Sequence, residues 1–290
     1  MKRILAVTLF LMILISGLSA PAEEAAPLSG SSLPEGVTAA ADLDGDGRSE
    51  KVSWAMVAED DYDAALTLTV QPSDGDALTY RTYILSFGSV YIVDLDGDGR
   101  LEVLITGDEM SDDYMTLCLH YADGALHEVL FPDCSRGENG TGYYKWGYGL
   151  ITGITGNMIV LEGSQDVLGT WMATRLVALT PYERFEFCDN GLWEMKVSDP
   201  AEIDELWQYR ALTVSTPISY KGAGGNASGT LQKGERILVY ASDKENRAWF
   251  ITKSGTRGVL NISEDYAQGW GWVVDGKPEA ECFEYLPYAD

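Results

Sequence analysis

The chain has 290 residues, of which 45 are acidic and 20 are basic, so its formal net charge at pH 7 is −25. Apolar residues make up 46% of the sequence, which is enough to build a hydrophobic core. The acidic excess argues against a nucleic-acid binder and against docking on an anionic membrane, because both surfaces attract basic side chains. Length alone suggests about two domains.

Residues 1–22 have the features of an export signal. Two basic residues precede a nearly unbroken apolar run at residues 4–15, and Ala20-Pro21-Ala22 fits the small-x-small cleavage pattern. The run is shorter than the roughly 20 residues that a membrane-spanning helix needs. We therefore expect cleavage after Ala22 and a mature chain that is secreted or held at the cell surface, without stable membrane insertion. Residues 23–34 are rich in Ala, Ser, Pro and Glu, which predicts a flexible leader.

Two copies of one acidic loop follow, at residues 42–50 and 94–102, and they lie 52 residues apart. Each copy has aspartates at positions 1, 3 and 5, glycines at positions 4 and 6, an arginine at position 7 and a glutamate at position 9. Such an internal repeat indicates duplicated structural units. The candidate metal-binding residues are Asp42, Asp44, Asp46, Arg48 and Glu50 in the first copy, and Asp94, Asp96, Asp98, Arg100 and Glu102 in the second.

Carboxylates spaced in this way in a tight loop can converge on one point. The glycines permit the sharp turn, and the backbone carbonyl of the arginine can complete the shell while its side chain points outward. A site of about six oxygen ligands suits Ca²⁺ better than Mg²⁺ or Zn²⁺. We expect two calcium sites whose occupation stabilises the fold, since the bare carboxylates repel one another. The alternative is an acidic Asp-Gly hairpin turn that binds no metal.

The segments around the second loop predict strands. Residues 89–93 and 103–106 are rich in β-branched and aromatic side chains. An EF-hand needs flanking helices and a glutamate at position 12 of the loop, whereas Ser53 and Ile105 occupy that position here. The loops are therefore expected to join strands.

An acidic loop of this spacing between two strands resembles the FG-GAP/VCBS repeat family, known from integrin α-subunit propellers and many exported bacterial proteins. Phe87-Gly88 stands ahead of the second loop as in that family, whereas Pro34-Glu35-Gly36 occupies that place in the first. The resemblance covers residues 35–197 and implies Ca²⁺ bound by the acidic side chains of both loops. A third unit, at residues 150–161, lacks the carboxylates and is expected to fold alike without metal. Three units of about 50 residues predict a partial propeller-like or multi-strand repeat assembly.

A linker helix is predicted over residues 198–209, because Asp199 is a good cap and Pro200 suits a first helical turn. Short strands with glycine turns then predict a small barrel at residues 210–290. This segment resembles the bacterial SH3 (SH3b) family, which implies binding of cell-wall peptides. The residues that match the family pattern are Thr213-Val214 in the opening strand, then Gly229, Leu231, Gly234, Trp249, Gly255 and Gly258.

The tryptophans near the C-terminus and the four cysteines of the chain allow predictions about ligand binding and disulfide pairing. Trp249, Trp270 and Trp272 are candidates for a stacking platform that binds sugars or peptides, although core or barrel-end positions are equally open. Cys118 lies in an apolar stretch and is expected to be a core residue. It belongs to a set of four cysteines that allow three disulfide pairings; the others are Cys134, Cys188 and Cys282.

The sequence has neither a Gly-x-Ser-x-Gly elbow nor a His-Glu-x-x-His motif. We therefore expect a non-catalytic, all-β, exported calcium-binding protein. It would be a binding or adhesion module that contacts cell-wall peptide, glycan or an envelope protein through its SH3-like domain. Two alternatives stay open. One is a cell-wall or glycan hydrolase or its accessory subunit, and the other is a sensor or structural protein in which calcium only stabilises the fold.

Overall fold

A computed structural model describes residues 32–58, 64–84, 86–108, 114–132, 147–181, 184–188, 191–195, 200–225, 227–264 and 271–288. The expected signal peptide, most of the expected leader, Cys134 and Trp270 lie outside these residues. The described chain is built of antiparallel strands with two short helices, which confirms the all-β prediction. Within these residues, neither helix is long and apolar enough to cross a membrane.

After a two-residue strand, β1 (Ser32–Leu33), three consecutive stretches of the chain fold as four-stranded antiparallel meanders. The first meander comprises β2 (Ala39–Ala41), β3 (Glu50–Ala58), β4 (Ala64–Gln71) and β5 (Leu78–Thr82). The second comprises β6 (Ser86–Val93), β7 (Glu102–Asp108), β8 (Tyr114–Ala122) and β9 (Ala125–Val129). After β10 (Gly147–Tyr148), the third comprises β11 (Leu150–Thr155), β12 (Met158–Asp166), β13 (Thr170–Thr180) and β14 (Arg184–Phe187).

The connection between the first and second strands distinguishes the three meanders. In the first two meanders it is the acidic loop, which runs from β2 to β3 and from β6 to β7. In the third it is the tight turn at Gly156-Asn157 between β11 and β12. This agrees with the predicted strand–turn–strand shape of the third unit, in which no carboxylates are available.

The second meander is a middle layer that is buried on both faces. Val103 and Ile105 of β7 pack in a core shared with the first meander. Leu104, between them, packs in a second core that is shared with the third meander and the C-terminal strands. Because both faces of β7 are covered, its residues 103–105 form an apolar run without polar alternation.

Strand β1 joins the first two meanders. It pairs with β6, with Leu33 opposite Val90, while Trp54 of β3 donates its Nε1–H to the Leu33 carbonyl oxygen at 2.7 Å. Leu33 is buried in the core between the two meanders. The end of the expected flexible leader is therefore part of a sheet, because burial of Leu33 favours an ordered strand over a mobile tail.

Strand β6 has an irregular outer end. Its register with β7 shifts between Ser86 and Ser89. Within this bulge, Phe87 adopts a φ of +52° and leaves 73% of its surface exposed. The Phe-Gly dipeptide that marks the second repeat in the sequence thus lies at a bulge.

The C-terminal part begins with a strand and the linker helix. The helix α1 spans Pro200–Tyr209 and lies within the predicted range 198–209. The elements are β15 (Trp193–Glu194), α1 (Pro200–Tyr209), β16 (Leu212–Thr213), β17 (Ile218–Gly222), β18 (Ser228–Leu231), β19 (Arg236–Ser242), β20 (Arg247–Thr252), β21 (Arg257–Glu264), β22 (Trp272–Val274), β23 (Lys277–Pro278) and α2 (Glu279–Cys282).

One sheet runs through both parts of the chain that the sequence suggested as separate domains. Its strand order is β11-β12-β13-β15-β19-β20-β21-β17-β18. Glu194 of β15 pairs with Thr174 on one side and with Ala241 on the other. Within the described residues no sheet closes into a barrel. Strands β15 and β16 both pair with β19, and β15 continues that sheet into the third meander through its pairing with β13.

Two hydrogen bonds fasten the C-terminal strands to the third meander. Trp272 donates its Nε1–H to the carbonyl oxygen of Asp166 at 2.6 Å, and Thr170 donates its N–H to the carbonyl oxygen of Pro287 at 3.0 Å. Both parts also contribute to one hydrophobic core, in which Cys118 is fully buried as predicted. The chain is therefore packed as one continuous body across the α1 segment.

Candidate metal centres

The first residue of each acidic loop is tied to the sixth by the same hydrogen bond. Gly47 donates its N–H to Oδ2 of Asp42 at 2.9 Å, and Gly99 donates to Oδ2 of Asp94 at 3.1 Å. The two glycines have φ values of +84° and +91°, which other residues rarely adopt. The glycine at position 6 is thus required for the turn that wraps the loop around its first carboxylate.

The glutamate at position 9 closes each loop from the opposite side. Oε2 of Glu50 accepts the N–H of Leu43 at 2.8 Å, and Oε2 of Glu102 accepts the N–H of Leu95 at 2.8 Å. These glutamates begin β3 and β7, and their side chains are buried, with 3% and 5% of the residue exposed. Burial raises the pKa of Glu50 and raises that of Glu102 to about 7. A buried carboxylate of this kind is stabilised by a nearby cation.

Each loop brings three carboxylates together. Their ligand atoms all lie within 4.8 Å of one another, in the first loop from Asp42, Asp44 and Glu50, and in the second loop from Asp94, Asp96 and Asp98. Asp46 and Glu102, which the sequence assigned to the same two sites, belong to the loops but not to these close groups. Either group could hold a metal ion.

The arginines at position 7 contact the carboxylates at position 5. The guanidinium of Arg48 pairs with Asp46 at 2.9 Å and also with Asp74, and Nε of Arg100 donates to Asp98 at 2.6 Å. Hydrogen bonds from the arginine backbone and side chain lower the pKa of Asp46 and of Asp98. The arginine side chains therefore offset the charge at position 5 on the outer side of each loop.

One buried oxygen atom of the first loop is suited to contact a cation. Oδ1 of Asp42 is buried, and among the described residues it has no hydrogen-bond partner. An unsatisfied buried carboxylate oxygen costs free energy that a bound cation would remove. All side-chain donors in the two groups are carboxylate oxygens, the ligands that Ca²⁺ prefers. The residues therefore fit a calcium ion.

The two loops touch each other, which the sequence did not indicate. Leu101, beside the second loop's arginine, donates its N–H to the carbonyl oxygen of Leu43 at 3.1 Å. A Cβ atom placed on Gly45 would lie 3.4 Å from Cγ of Arg100. This contact depends on how the first two meanders pack, so no local motif could have predicted it.

The tryptophans proposed as a stacking platform have different surroundings. Trp272 is 8% exposed and uses its Nε1–H in the bond to Asp166. Trp249 is half-buried in β20, with the guanidinium carbon of Arg247 5.1 Å from its ring centre. Trp270 lies outside the described residues. Trp272 therefore connects the C-terminal strands to the third meander.

Comparison of the chain with protein-family models, with curated proteins and with solved structures found no significant match in any of the three. The interpretation of the acidic loops therefore rests on their own geometry and charge.

Proposed function

We propose that the chain is an exported, calcium-stabilised, non-catalytic binding protein that acts at the cell envelope. The observation on which this proposal depends is the duplicated loop, with the same backbone hydrogen bonds at positions 1 and 9 in both copies. Such repetition is expected if both loops hold the same ligand, whereas acidic turns without metal have no need for a buried glutamate.

In this proposal the carboxylates of each loop hold one Ca²⁺. The ion supplies positive charge that neutralises the clustered carboxylates, including the orphaned Oδ1 of Asp42. The protein's own contribution is to fix the loop before binding. Gly47 and Gly99 hold the first carboxylates, and the backbone of Leu43 and Leu95 holds the glutamates.

The three meanders support a relation to FG-GAP/VCBS repeats. Each has four antiparallel strands, and in the first two the acidic loop joins the first strand to the second; that family likewise has its acidic loop between two strands. We accordingly propose a partial propeller-like assembly. The short strands after α1 are proposed to be an SH3-like module that contacts cell-wall peptide, glycan or an envelope protein.

The test of the calcium proposal is thermal unfolding of the mature chain in Ca²⁺ and in chelator. At Ca²⁺ concentrations about 100-fold above Kd, each site should stabilise the folded state by about 2.7 kcal/mol. The double variant Asp44→Ala/Asp96→Ala should lose the calcium-dependent rise in midpoint. Asp204→Ala, which changes an exposed aspartate on α1, is the matched control and should keep it. Equal midpoints of the unaltered chain in Ca²⁺ and chelator would refute the proposal.

The envelope role needs a separate experiment. Purified mature chain should be retained on cell-wall material in the presence of Ca²⁺, and the native protein should be found in the extracytoplasmic fraction of the cell. Retention without release of soluble wall fragments would support a binding protein. Release of such fragments would instead support the hydrolase alternative.

A further inference from the structure

A pocket lies between the linker helix, the start of β13 and the C-terminal segment, and it is separate from the acidic loops. Its volume is about 680 Å³, within the range of small-molecule sites. Aromatic and other apolar side chains from all three segments line it. They include Trp171, Met172, Leu206, Tyr209, Tyr285 and Tyr288.

Four of the large side chains that line this pocket are open to solvent. Met172 is 45% exposed, Tyr209 62%, Tyr285 71% and Tyr288 37%. These four side chains would bury more apolar surface if the segments closed on one another, yet they stand around one cavity. Grouped exposure of large apolar side chains is typical of a binding site, whereas isolated exposed residues need no explanation.

The charges around the pocket favour a cationic ligand. Glu202 and Glu205 on α1 line it, and Arg210 is the basic side chain among the described lining residues. Arg210 uses Nη1 to hold two backbone carbonyl oxygens, those of Thr170 at 2.6 Å and Pro287 at 3.4 Å. The guanidinium therefore connects the walls of the pocket, and the net charge of its lining side chains is negative.

Tyr288 presents an electron-rich ring to this cavity. Its hydroxyl donates to both carboxylate oxygens of Glu279, at 2.9 Å each, and Glu279 is buried. A phenol that donates to a carboxylate gains electron density on its ring, which strengthens attraction to a cation above the ring face. The hydroxyl hydrogen is already engaged by Glu279, so this tyrosine can offer a ligand its ring and the lone pairs of its oxygen.

We propose that this pocket binds a small organic ammonium ion, with its methyl or methylene groups against the aromatic rings and its charge near Glu202 and Glu205. Aromatic rings with nearby carboxylates are the chemistry that recognises such ions. The proposal goes beyond calcium binding and rests on α1, β13 and the C-terminal segment. Failure of the calcium proposal would leave it standing.

The experiment compares choline with its uncharged isostere 3,3-dimethylbutan-1-ol, using ligand-observed NMR titration of the full mature chain at saturating Ca²⁺ and constant ionic strength. The two probes have nearly the same shape, so their difference isolates the charge. Choline should bind about tenfold more tightly than the alcohol. Equal affinities, binding of neither probe, or tighter binding of an uncharged disaccharide would each overturn the proposal.

Three single substitutions test whether choline binds in this pocket. Tyr285→Ala should weaken choline binding several-fold, and Glu205→Gln, which keeps the side-chain shape, should weaken it about threefold. Tyr83→Ala removes a tyrosine that is 68% exposed outside the pocket and should leave the affinity unchanged. All three residues are exposed, and unchanged unfolding midpoints will show that the variants remain folded. Loss of binding in Tyr83→Ala, or its retention in both pocket variants, would refute the assignment to this pocket.

Discussion

Replacement of Glu102 by glutamine should stabilise the chain in chelator, and most of that gain should disappear in calcium. Burial, with additional repulsion from Asp96 and Asp98, raises the pKa of Glu102 from 4.5 to about 7. The folded state therefore binds this proton more tightly than the unfolded state does. In chelator, stability should fall as the pH rises from about 4.5 to 7, and the full loss should persist above pH 7.

The size of the effect follows from the pKa difference. At about 1.4 kcal/mol per pKa unit, the ionised Glu102 costs the chelated protein about 3 kcal/mol at pH 8. Glu102→Gln removes this charge, while its amide oxygen can still accept the N–H of Leu95. The midpoint of the variant in chelator at pH 8 should be about 6–12 °C above that of the unaltered chain. At pH 4 the two midpoints should converge, because Glu102 is then protonated in both states.

Calcium should remove most of this difference between the two chains. The proposal counts Glu102 among the carboxylates of the second loop that hold the ion, although it lies outside the close group of three. The variant should therefore lose up to the full stabilisation of that site, about 2.7 kcal/mol at a hundredfold excess over Kd. Scanning calorimetry at pH 8 in chelator and in Ca²⁺ measures both effects, with the exposed Glu264→Gln as control. A lower midpoint of Glu102→Gln in chelator would show that the hydrogen bond to Leu95 outweighs the cost of the buried charge, and the reasoning would be wrong.

Three further predictions concern packing and coupling. Gly107→Ala should destabilise the chain by about 2 kcal/mol in urea unfolding, since its methyl group would lie 2.2 Å from Ile84. Gly153→Ala, where the nearest side-chain atom is 3.4 Å away, should change stability little, and equal losses in the two variants would contradict the packing described. Trp272→Phe should lose about 1 kcal/mol with its hydrogen bond and keep a single calorimetric transition, whereas two separate transitions would argue against one continuous body. Asp44→Ala, although it alters only the first loop, should weaken calcium binding at the second loop at least twofold in calorimetric titration, because a backbone hydrogen bond joins the loops. An unchanged calcium affinity of the second loop would show that this hydrogen bond does not couple the two sites.

Local chemistry made the acidic loops and the linker helix predictable from the sequence. The Asp-Gly spacing predicted a turn at which carboxylates converge, and the structure brings three of them within 4.8 Å in each loop. The capping pattern near Pro200 predicted a helix that is present. In both cases residues close in sequence determine the geometry, so the pattern could be interpreted without knowledge of the rest of the chain.

The pairing of strands that are distant in the chain could not be predicted from the sequence. Pairing of β1 with β6 and of β15 with β19 joins strands that are far apart in the chain, and tertiary packing rather than strand propensity selects such partners. The sequence did not indicate β15, which joins the third meander to the C-terminal strands in one sheet, and within the described residues the expected barrel does not close. The pocket beside α1 was missed for the same reason, since Trp171 and Tyr285 belong to distant segments of the chain.

The bulge in β6 has a consequence for how copies of this chain behave at high concentration. Among the residues that the structure describes, β1 pairs with Val90 and Tyr91 alone on the outer side of β6, and an edge strand with exposed backbone groups is a template for another strand. At the outer end, the left-handed backbone of Phe87 and the register shift between Ser86 and Ser89 break the regular spacing of those groups. A second molecule cannot extend an uninterrupted ladder along this edge, so the bulge protects the chain against edge-to-edge aggregation while leaving an aromatic side chain at the surface.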